Sequence, residues 1–352
     1  MRVRRRHGAR RVLAAAAALA LTLGLLSGCQ VETKPAETRI FAMDTTMSMT
    51  IYGKNAKESM NDAVDEIYRL DTELDVGDPS SAVFALNDGS GDWVDIGEEA
   101  AKLLHDSLGL CRLTNGALDI SAYSAVRAWG FTTGSFRVPD QAELDELKSK
   151  IDYTKIEVDE EHNRARMDKG MALDTGSVAK GYTGDLLSRQ LKQEGIKSAL
   201  LDLGQSSIQA IGSKPNGSPW RIGIRDPQSE DYIGVLELDD MAMGTSGGYQ
   251  RFFTQDGQTY WHIMDPETAA PAQSNLGSVT VVSPSGLLCD GLSTAMFVMG
   301  EAKGAQLWRD HRDLNFELIF IRDDGSVAIT EGLEKSFSLA KDYKDREVTV
   351  LR

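Results

Sequence analysis

The sequence is poor in cysteine, in basic residues and in long apolar runs. Three cysteines among 352 residues cannot form the framework that holds small disulfide-rich domains together. Lys and Arg total 38 against 53 Asp and Glu, so the formal net charge is −15. This balance argues against a nucleic-acid-binding protein, because phosphate backbones require a basic patch. No repeat with a period of about 20 to 50 residues is visible, which argues against solenoids and propellers.

The main apolar run lies at the N-terminus and indicates an export signal. Residues 12–26 are apolar, follow six arginines, and are too few for a permanent membrane span. Small residues then lead into Cys29, as in a bacterial lipobox. We therefore expect residues 1–28 to be removed and Cys29 to carry lipid, which takes the net charge to −21. An ordinary signal peptide or a retained anchor helix is the alternative, and the Arg10-Arg11 pair leaves the export route open.

The rest of the chain predicts one large domain on a short tether. Residues 29–38 are mostly polar and fit a tether, which leaves residues 39–352 for the domain. Short strands, long helices and hairpins without regular strand–helix alternation predict an α+β fold with a mixed, largely antiparallel sheet flanked by helices. The strongest local predictions are helices over 54–75, 98–113 and 140–150 and a hairpin around Asp256-Gly257. Cys111 and Cys289 are predicted to be buried free thiols.

The segment most indicative of chemistry is residues 173–185, which read LDTGSVAKGYTGD. An apolar lead-in ends at Asp174, a glycine-bearing turn follows, and a helical pattern then starts and stops near Gly195. A turn that opens a helix presents unpaired N–H groups to phosphate oxygens, and Lys180 can add a full charge. The alternative is a turn with a surface lysine. The spacing is neither a Walker A loop nor G-x-G-x-x-G.

A second segment has a spacing that would suit a metal site. The apolar spacing after Cys289 is helical, so Asp290 and Thr294 lie one turn apart on one face. Hard oxygen ligands at this spacing suit Mg²⁺, which leaves room for water and substrate phosphates. The alternative is a capping acid and a threonine that bonds back to its own helix. His262 precedes Asp265-Pro266 at a predicted turn, where functional groups are often exposed, and the alternative is a structural histidine.

These segments together resemble the ApbE family of FAD:protein FMN transferases. The signature Asp-x-Gly-x-x-Ala-Lys-Gly-Tyr matches residues 174–182, and the resemblance extends over residues 39–300. Further matches are the Met-x-Thr element at Met43, the Trp-x-Ile-Gly-Ile-x-Asp-Pro segment at 220–227, and His-x-x-Asp-Pro at His262. The resemblance implies a single large domain of two intimate subdomains.

The resemblance also implies a reaction and its site residues. FAD is the substrate, its FMN moiety passes to a Thr or Ser hydroxyl of an acceptor protein of the membrane redox type, and AMP is released. His262, Asp290 and Lys180 are the expected catalytic residues, and Mg²⁺ is expected on Asp290, Thr294 and the Ser177 carbonyl. The implied FAD contacts are Met43, Asp119, Asp174, Lys180, Gly204 and His262. Asp119 could instead cap a helix.

The chain departs from the family pattern at three places. Gly77 stands where relatives commonly have an aromatic residue, residues 205–207 replace a glycine–asparagine turn, and Ala269 replaces the glycine after Asp-Pro-x-Thr. Alternative functions are an FAD pyrophosphatase, a flavin- or solute-binding lipoprotein without chemistry, and a structural envelope lipoprotein. Every catalytic version requires Lys180 to lie beside the Asp290 and Thr294 face.

Overall fold

The computed structural model describes residues 34–89 and 91–352. The predicted signal peptide, Cys29 and most of the tether lie outside these residues. Pro35–Arg352 forms one compact unit. No helix in the described ranges is sufficiently long and apolar to span a bilayer. Cys111 and Cys289 are buried and unpaired, as predicted.

The described residues contain seven α-helices. The helices predicted over 54–75, 98–113 and 140–150 are all found within two residues of their expected bounds. In chain order the helices are α1 Ala56–Leu74, α2 Ala82–Asp88, α3 Glu98–Leu113, α4 Tyr123–Ala128, α5 Gln141–Lys148, α6 Ala179–Gln193 and α7 Gly286–Asp310.

The described residues also contain nineteen strands. They are β1 Ala36–Ala42, β2 Thr45–Tyr52, β3 Val94–Asp95, β4 Ile156–Asp159, β5 Arg164–Met167, β6 Ser198–Asp202, β7 Ser207–Ile211, β8 Trp220–Arg225, β9 Tyr232–Leu238, β10 Ala242–Gly247, β11 Phe252–Gln255, β12 Gln258–Trp261, β13 Met264–Asp265, β14 Ala270–Pro271, β15 Leu276–Ser283, β16 Glu317–Arg322, β17 Val327–Thr330, β18 Phe337–Leu339 and β19 Val348–Leu351.

A nine-stranded sheet organises the molecule, and it confirms the predicted fold class. Its order is β1-β2-β6-β7-β10-β15-β16-β17-β19. Every neighbouring pair is antiparallel except β17 and β19, which are parallel. Strand β1 begins at Ala36, so residues 36–38 are part of the sheet and the tether is shorter than predicted. The apolar lead-in at 171–173 is not a ladder strand, since it makes only the bridge Ala122↔Ala172.

Helices α6 and α7 pack against each other and against the middle of this sheet. Two glycines permit the close approach. A Cβ on Gly181 of α6 would lie 2.1 Å from the carbonyl oxygen of Gly286 at the start of α7, and a Cβ on Gly244 of β10 would lie 2.6 Å from the Cys289 backbone. The first turns of α6 and α7 are thus held together over β7 and β10, and the candidate site forms there.

Candidate active site

The Asp290 carboxylate lies at the junction of α6, α7 and β7. The Gly181 N–H donates to its Oδ2 at 2.7 Å, and the Ser207 hydroxyl donates to its Oδ1 at 2.7 Å. The residue is only 7% exposed. Burial raises the pKa of Asp290 to about 6, although the nearby Lys180 charge and both hydrogen bonds act in the opposite direction.

The contact between Gly181 and Asp290 frees a backbone carbonyl. In a regular helix the Gly181 N–H would bond to the carbonyl of Ser177, four residues earlier. Here it donates to Asp290 instead, while the flanking Ala179 and Tyr182 amides make their bonds to Thr175 and Val178. The Ser177 carbonyl accepts no hydrogen bond within the described residues. It is therefore a carbonyl oxygen without a partner, close to the start of α6.

Thr294 lies one turn after Asp290 on α7, as predicted. Its hydroxyl lies 3.1 Å from the Ser246 hydroxyl of β10, which also lies 2.9 Å from the Ser293 hydroxyl. In the part of the chain that the structure describes, Thr294 makes no bond back to its own helix. Asp290 is not a helix cap either, because Ser285 is the N-cap residue of α7. Both alternative interpretations of this pair are wrong.

This donor set fits a hard divalent cation. A carboxylate, a threonine hydroxyl and an unpaired carbonyl are oxygen ligands of the kind that Mg²⁺ takes together with water and substrate phosphate. A buried carboxylate with a raised pKa also gains from a cation. The described residues hold no group of three or more His, Cys, Asp or Glu side chains suited to a metal.

Lys180 supplies the positive charge of the site. It is half-buried at the start of α6, and its ammonium group has no hydrogen bond or ion pair among residues 34–89 and 91–352. Burial raises the pKa values of Asp290 and Asp174, and the Lys180 charge opposes that effect; burial lowers the pKa of His262, and the Lys180 charge adds to that effect. Lys180 directly precedes Gly181, whose N–H donates to Asp290, so Lys180 and Asp290 lie at the same helix start, as every catalytic version of the prediction requires.

His262 follows β12 and is neutral at physiological pH. Burial, and then the charge of Arg251, lower the pKa of His262 to about 4. Its Nδ1 lies 3.3 Å from the Arg251 carbonyl oxygen, and its backbone N–H donates to the same oxygen at 3.1 Å. A carbonyl only accepts, so this contact assigns the proton to Nδ1 and leaves the Nε2 lone pair free.

The turn between β1 and β2 forms another part of the site. Met43 and Asp44 both have left-handed backbones, and the Met43 N–H donates to Asp71 Oδ1 at 2.7 Å. The Met43 sulfur lies 3.9 Å from the Thr183 hydroxyl, three residues after Lys180. Gly204 lies against the same turn, because a Cβ there would be 2.5 Å from the Thr45 side chain. Met43 and Gly204 are thus brought to the Lys180 helix.

Asp174 and Asp119 differ in how free their carboxylates are. Asp174 accepts the Gly176 N–H at 2.8 Å through Oδ1, and burial raises its pKa. Asp119 has both oxygens occupied, by the Ser121 N–H and hydroxyl and by the Tyr153 N–H. The Asp174 N–H bonds to the Ile120 carbonyl, so the two segments are neighbours. Asp119 caps no helix, since α4 begins after Ala122.

Four polar residues that sequence reasoning missed hold the site together. The Ser207 hydroxyl donates to Asp290, and the Arg251 carbonyl accepts the His262 N–H. Asn87 pairs with both the N–H and the C=O of Leu173 at 2.8 Å, which fixes the lead-in to the turn. Asp185 of α6 accepts the Ser285 hydroxyl and the Gly286 and Leu287 amides, and so caps α7. Most of these partners are far apart in sequence, so no local pattern indicates them.

The three departures from the family pattern have different outcomes. Gly77 lies in an exposed turn and its N–H bonds to Asp75 at 2.7 Å. Ala269 adopts φ +55 and is buried, so it takes the left-handed conformation that a glycine would favour. In the 205–207 turn, Gln205 also has a positive φ, and this turn delivers Ser207 to Asp290.

Comparison with known proteins gives consistent matches over most of the chain. The profile of the ApbE family matches residues 43–320. Proteins named FAD:protein FMN transferase include one from Vibrio cholerae, 31% identical over 86% of this chain and 93% of its own length. Another from Haemophilus influenzae is 28% identical over 92% of this chain and 97% of its own.

Solved structures agree with these matches. The ApbE protein of Thermotoga maritima superposes with a TM-score of 0.79 at 29% identity, covering 85% of this chain and 97% of its own. The Pseudomonas stutzeri flavinyl transferase ApbE, in its apo form, gives 0.74 at 27% identity, covering 89% and 96%. Given the family match, the site geometry and these superpositions, this chain belongs to the ApbE family.

Proposed function

We propose that this protein transfers the FMN moiety of FAD to a hydroxyl group of an acceptor protein and releases AMP. The observation that carries the proposal is the position of Lys180. Its ammonium group, which has no partner among the described residues, belongs to the residue directly before Gly181, and the Gly181 N–H donates to the buried Asp290 carboxylate. Relatives that align over more than nine-tenths of their length are named FAD:protein FMN transferase.

The pyrophosphate of FAD would lie at the start of α6. Phosphate oxygens suit the N–H groups of a helix N-terminus, and Lys180 adds a full charge. The mature chain is predicted to be strongly acidic, so a local cation is needed to hold a dianionic ligand at all. Asp174 and the Met43 turn then contact the rest of FAD. Phosphoryl transfer depends mainly on such positioning and on charge stabilisation.

His262 would act as the general base. The acceptor hydroxyl oxygen bonds to the phosphorus on the riboflavin side, the P–O bond to the AMP phosphate breaks, and AMP leaves with the bridging oxygen. The hydroxyl proton passes to Nε2, which is free because Nδ1–H faces the Arg251 carbonyl. The product is FMN joined to the Thr or Ser by a phosphoester.

Mg²⁺ is proposed as the metal. Asp290, Thr294 and the Ser177 carbonyl would hold it, with Ser207 and the Gly181 N–H orienting the carboxylate. When bound, Mg²⁺ supplies positive charge against the negative charge that develops on the phosphate oxygens.

The cellular setting is proposed from the sequence. The lipobox-like segment ending at Cys29 supports a lipid-anchored, extracytoplasmic protein, and its acceptor would be a membrane redox subunit. Labelling of cells with a palmitate analogue should mark the full chain and not Cys29→Ser. Equal labelling of both would exclude lipid attachment at this cysteine.

The central test uses residues 30–352 with FAD, Mg²⁺ and a threonine-containing acceptor. Gain of one FMN by the acceptor, with AMP in equal amount, is the expected result. Lys180→Met and Asp290→Asn should each reduce transfer by at least about a hundredfold. Lys192→Met, on the exposed end of the same helix, is the matched control and should keep wild-type rates. Free FMN and AMP without acceptor modification would indicate a pyrophosphatase, and FAD binding without AMP would indicate a non-catalytic carrier.

A further inference from the structure

Strands β11 and β12 form an isolated hairpin that ends at His262. They pair only with each other, and Asp256 and Gly257 at its tip both have positive φ, as a two-residue type I′ turn requires. With this turn, Gln255 and Gln258 form a hydrogen-bonded pair, and such pairs alternate along the hairpin. The bond from the His262 N–H to the Arg251 carbonyl fits that alternation.

The same alternation leaves the outer edge of β11 unpaired. The N–H and C=O groups of Phe252 and Thr254 point away from β12, and within the described residues neither has a backbone partner. On β12, the residues whose N–H and C=O groups point away from β11 are Thr259 and Trp261. An unpaired edge is a template for an added strand.

Exposed aromatic side chains lie along the β11 side. The Phe136 and Phe253 rings are stacked, with their centroids 5.0 Å apart and an interplanar angle of 12°. Phe131 contacts both of these rings, and its centroid lies 6.4 Å from that of the His262 ring. Phe136 is 45% exposed and Phe252 is 50% exposed. Tyr260 of β12 stacks on Phe253 at 5.2 Å and contacts Trp129, which is buried. Of the two exposed rings, Phe252 belongs to β11 and Phe136 stacks on Phe253 of β11, so exposed apolar surface lies beside the unpaired edge of this strand.

The charge of this edge differs from that of the whole molecule. Residues 249–255 and 129–138 contain no acid, although the chain has 53 acidic residues against 38 basic ones. Arg251 lies directly before β11, with its guanidinium 3.9 Å from Asp44. Such an edge favours a neutral or acidic segment over a basic one.

We propose that the β11 edge, defined by the outward backbone groups of Phe252 and Thr254 with the Phe136 and Phe252 rings, binds an extended segment of the acceptor protein. The segment adds as a strand to β11, and its hydroxyl residue continues past Arg251 to His262. Backbone bonds supply affinity, and the aromatic rings select small or branched apolar side chains. This inference rests on the proposed function and names the partner segment for the same site.

Proline substitutions on the two edges test the proposal. Thr254→Pro removes an outward N–H from the β11 edge, and Thr259→Pro removes one from the β12 edge. The pair is matched, because Thr254 and Thr259 are cross-strand neighbours whose hydroxyls lie 3.2 Å apart. Phe136→Ser tests the aromatic surface without a backbone change, and Tyr232→Ser, an exposed aromatic residue of another sheet, is its control.

The probes are synthetic peptides of about 13 residues with one threonine among valine, alanine and glycine. One peptide carries two aspartates and one carries two lysines. We expect the aspartate peptide to gain FMN, with kcat/KM reduced at least about tenfold in Thr254→Pro and Phe136→Ser and within about twofold of wild type in both controls. FAD affinity, followed by flavin fluorescence, should be the same in all variants.

Several results would overturn the proposal. Equal losses in Thr254→Pro and Thr259→Pro, or preference for the lysine peptide, would show that the β11 edge does not select the acceptor. Modification of proteins in an envelope extract but of neither peptide would show that a short extended segment is not what binds, while the transferase activity stands. Absence of AMP release and of any modified protein would refute the proposed function as well.

Discussion

The Asp290 carboxylate experiences opposing influences at the scale of single atoms. Two hydrogen bonds and Lys180 favour its charged form, while burial disfavours it more strongly and raises its pKa to about 6. In the unfolded chain the same group ionises near 3.8. Folding without a cation therefore requires either a proton on Asp290 or a buried charge.

Asp290→Asn should stabilise the metal-free protein at neutral pH. The folded state keeps the Asp290 proton at pH values where the unfolded state has lost it, so wild-type stability falls as pH rises from about 4 to about 6. The advantage of the variant should grow over that interval and level off above it, at no more than about 3 kcal/mol. Urea unfolding in EDTA measures this.

Added Mg²⁺ gives the matching control for that substitution. Saturating Mg²⁺ should raise the stability of wild type, by about 2.7 kcal/mol at a hundred times its Kd, and leave Asp290→Asn unchanged. If the variant were less stable than wild type in EDTA at pH 7, the carboxylate would be stabilising without a cation and the metal assignment would lose its electrostatic basis.

Arg251 and His262 provide a second test at the residue scale. Arg251→Gln should raise the pKa of His262, by less than about one pH unit, because burial is the larger cause and remains. Titration of the His262 ring by NMR measures the change. Arg127→Gln, an exposed arginine of α4, should leave the pKa of His262 where it is. An unchanged value in Arg251→Gln would mean that the guanidinium does not face the ring.

At the scale of elements, the site depends on how closely α6 and α7 approach. The Gly181 N–H to Asp290 bond and the Asp185 cap join the first turn of α7 to α6 at two points. Burial raises the pKa of Asp185, so this cap also has an electrostatic cost. The pair of contacts fixes the relative position of Lys180 and Asp290, on which charge stabilisation depends.

Gly181→Ala and Gly184→Ala should have opposite effects although they lie on one helix. The Gly181 Cβ would lie 2.1 Å from a backbone oxygen of Gly286, so α7 must shift and stability should fall by more than about 3 kcal/mol. The Gly184 Cβ would make contacts of 3.4 Å or longer, and alanine should add about 0.5–1 kcal/mol. Thermal unfolding with Mg²⁺ compares them, and equal effects would contradict the close packing.

The elements show what sequence could predict. Helix α3 spans Glu98–Leu113 as predicted because its apolar period is local, and the β11–β12 hairpin follows from Asp256-Gly257. Lys180 and Asp290 were found through motifs. Ser207 and Asp185 were missed because their bonds join residues 83 and 101 positions apart, and no local period encodes such pairs.

At the scale of the whole molecule, β19 protects one edge of the main sheet. It pairs in parallel with β17, whose four residues are all buried, and it lies four strands from β10 in the sheet order. The Arg352 carbonyl accepts a hydrogen bond from Arg309 of α7 at 2.8 Å. The chain end thus covers a strand that would otherwise be an exposed apolar edge.

Deletion of residues 347–352 should lower stability and cause aggregation while leaving FAD affinity in the surviving monomer unchanged. The reason is that β17 becomes an edge, whereas the site lies several strands away. Light scattering during heating and flavin fluorescence titration measure the two effects. Loss of FAD affinity without aggregation would contradict this account.

The unusual bond of the Gly181 amide has a spectroscopic consequence. One peptide hydrogen of the backbone points at the carboxylate proposed to receive the ion, so its resonance should report the arrival of magnesium before any catalytic turnover. Because this N–H belongs to the first turn of α6, binding of an ion at Asp290 should also affect how well that turn is ordered. The NMR signal of the Gly181 amide would then indicate whether the proposed ion is bound.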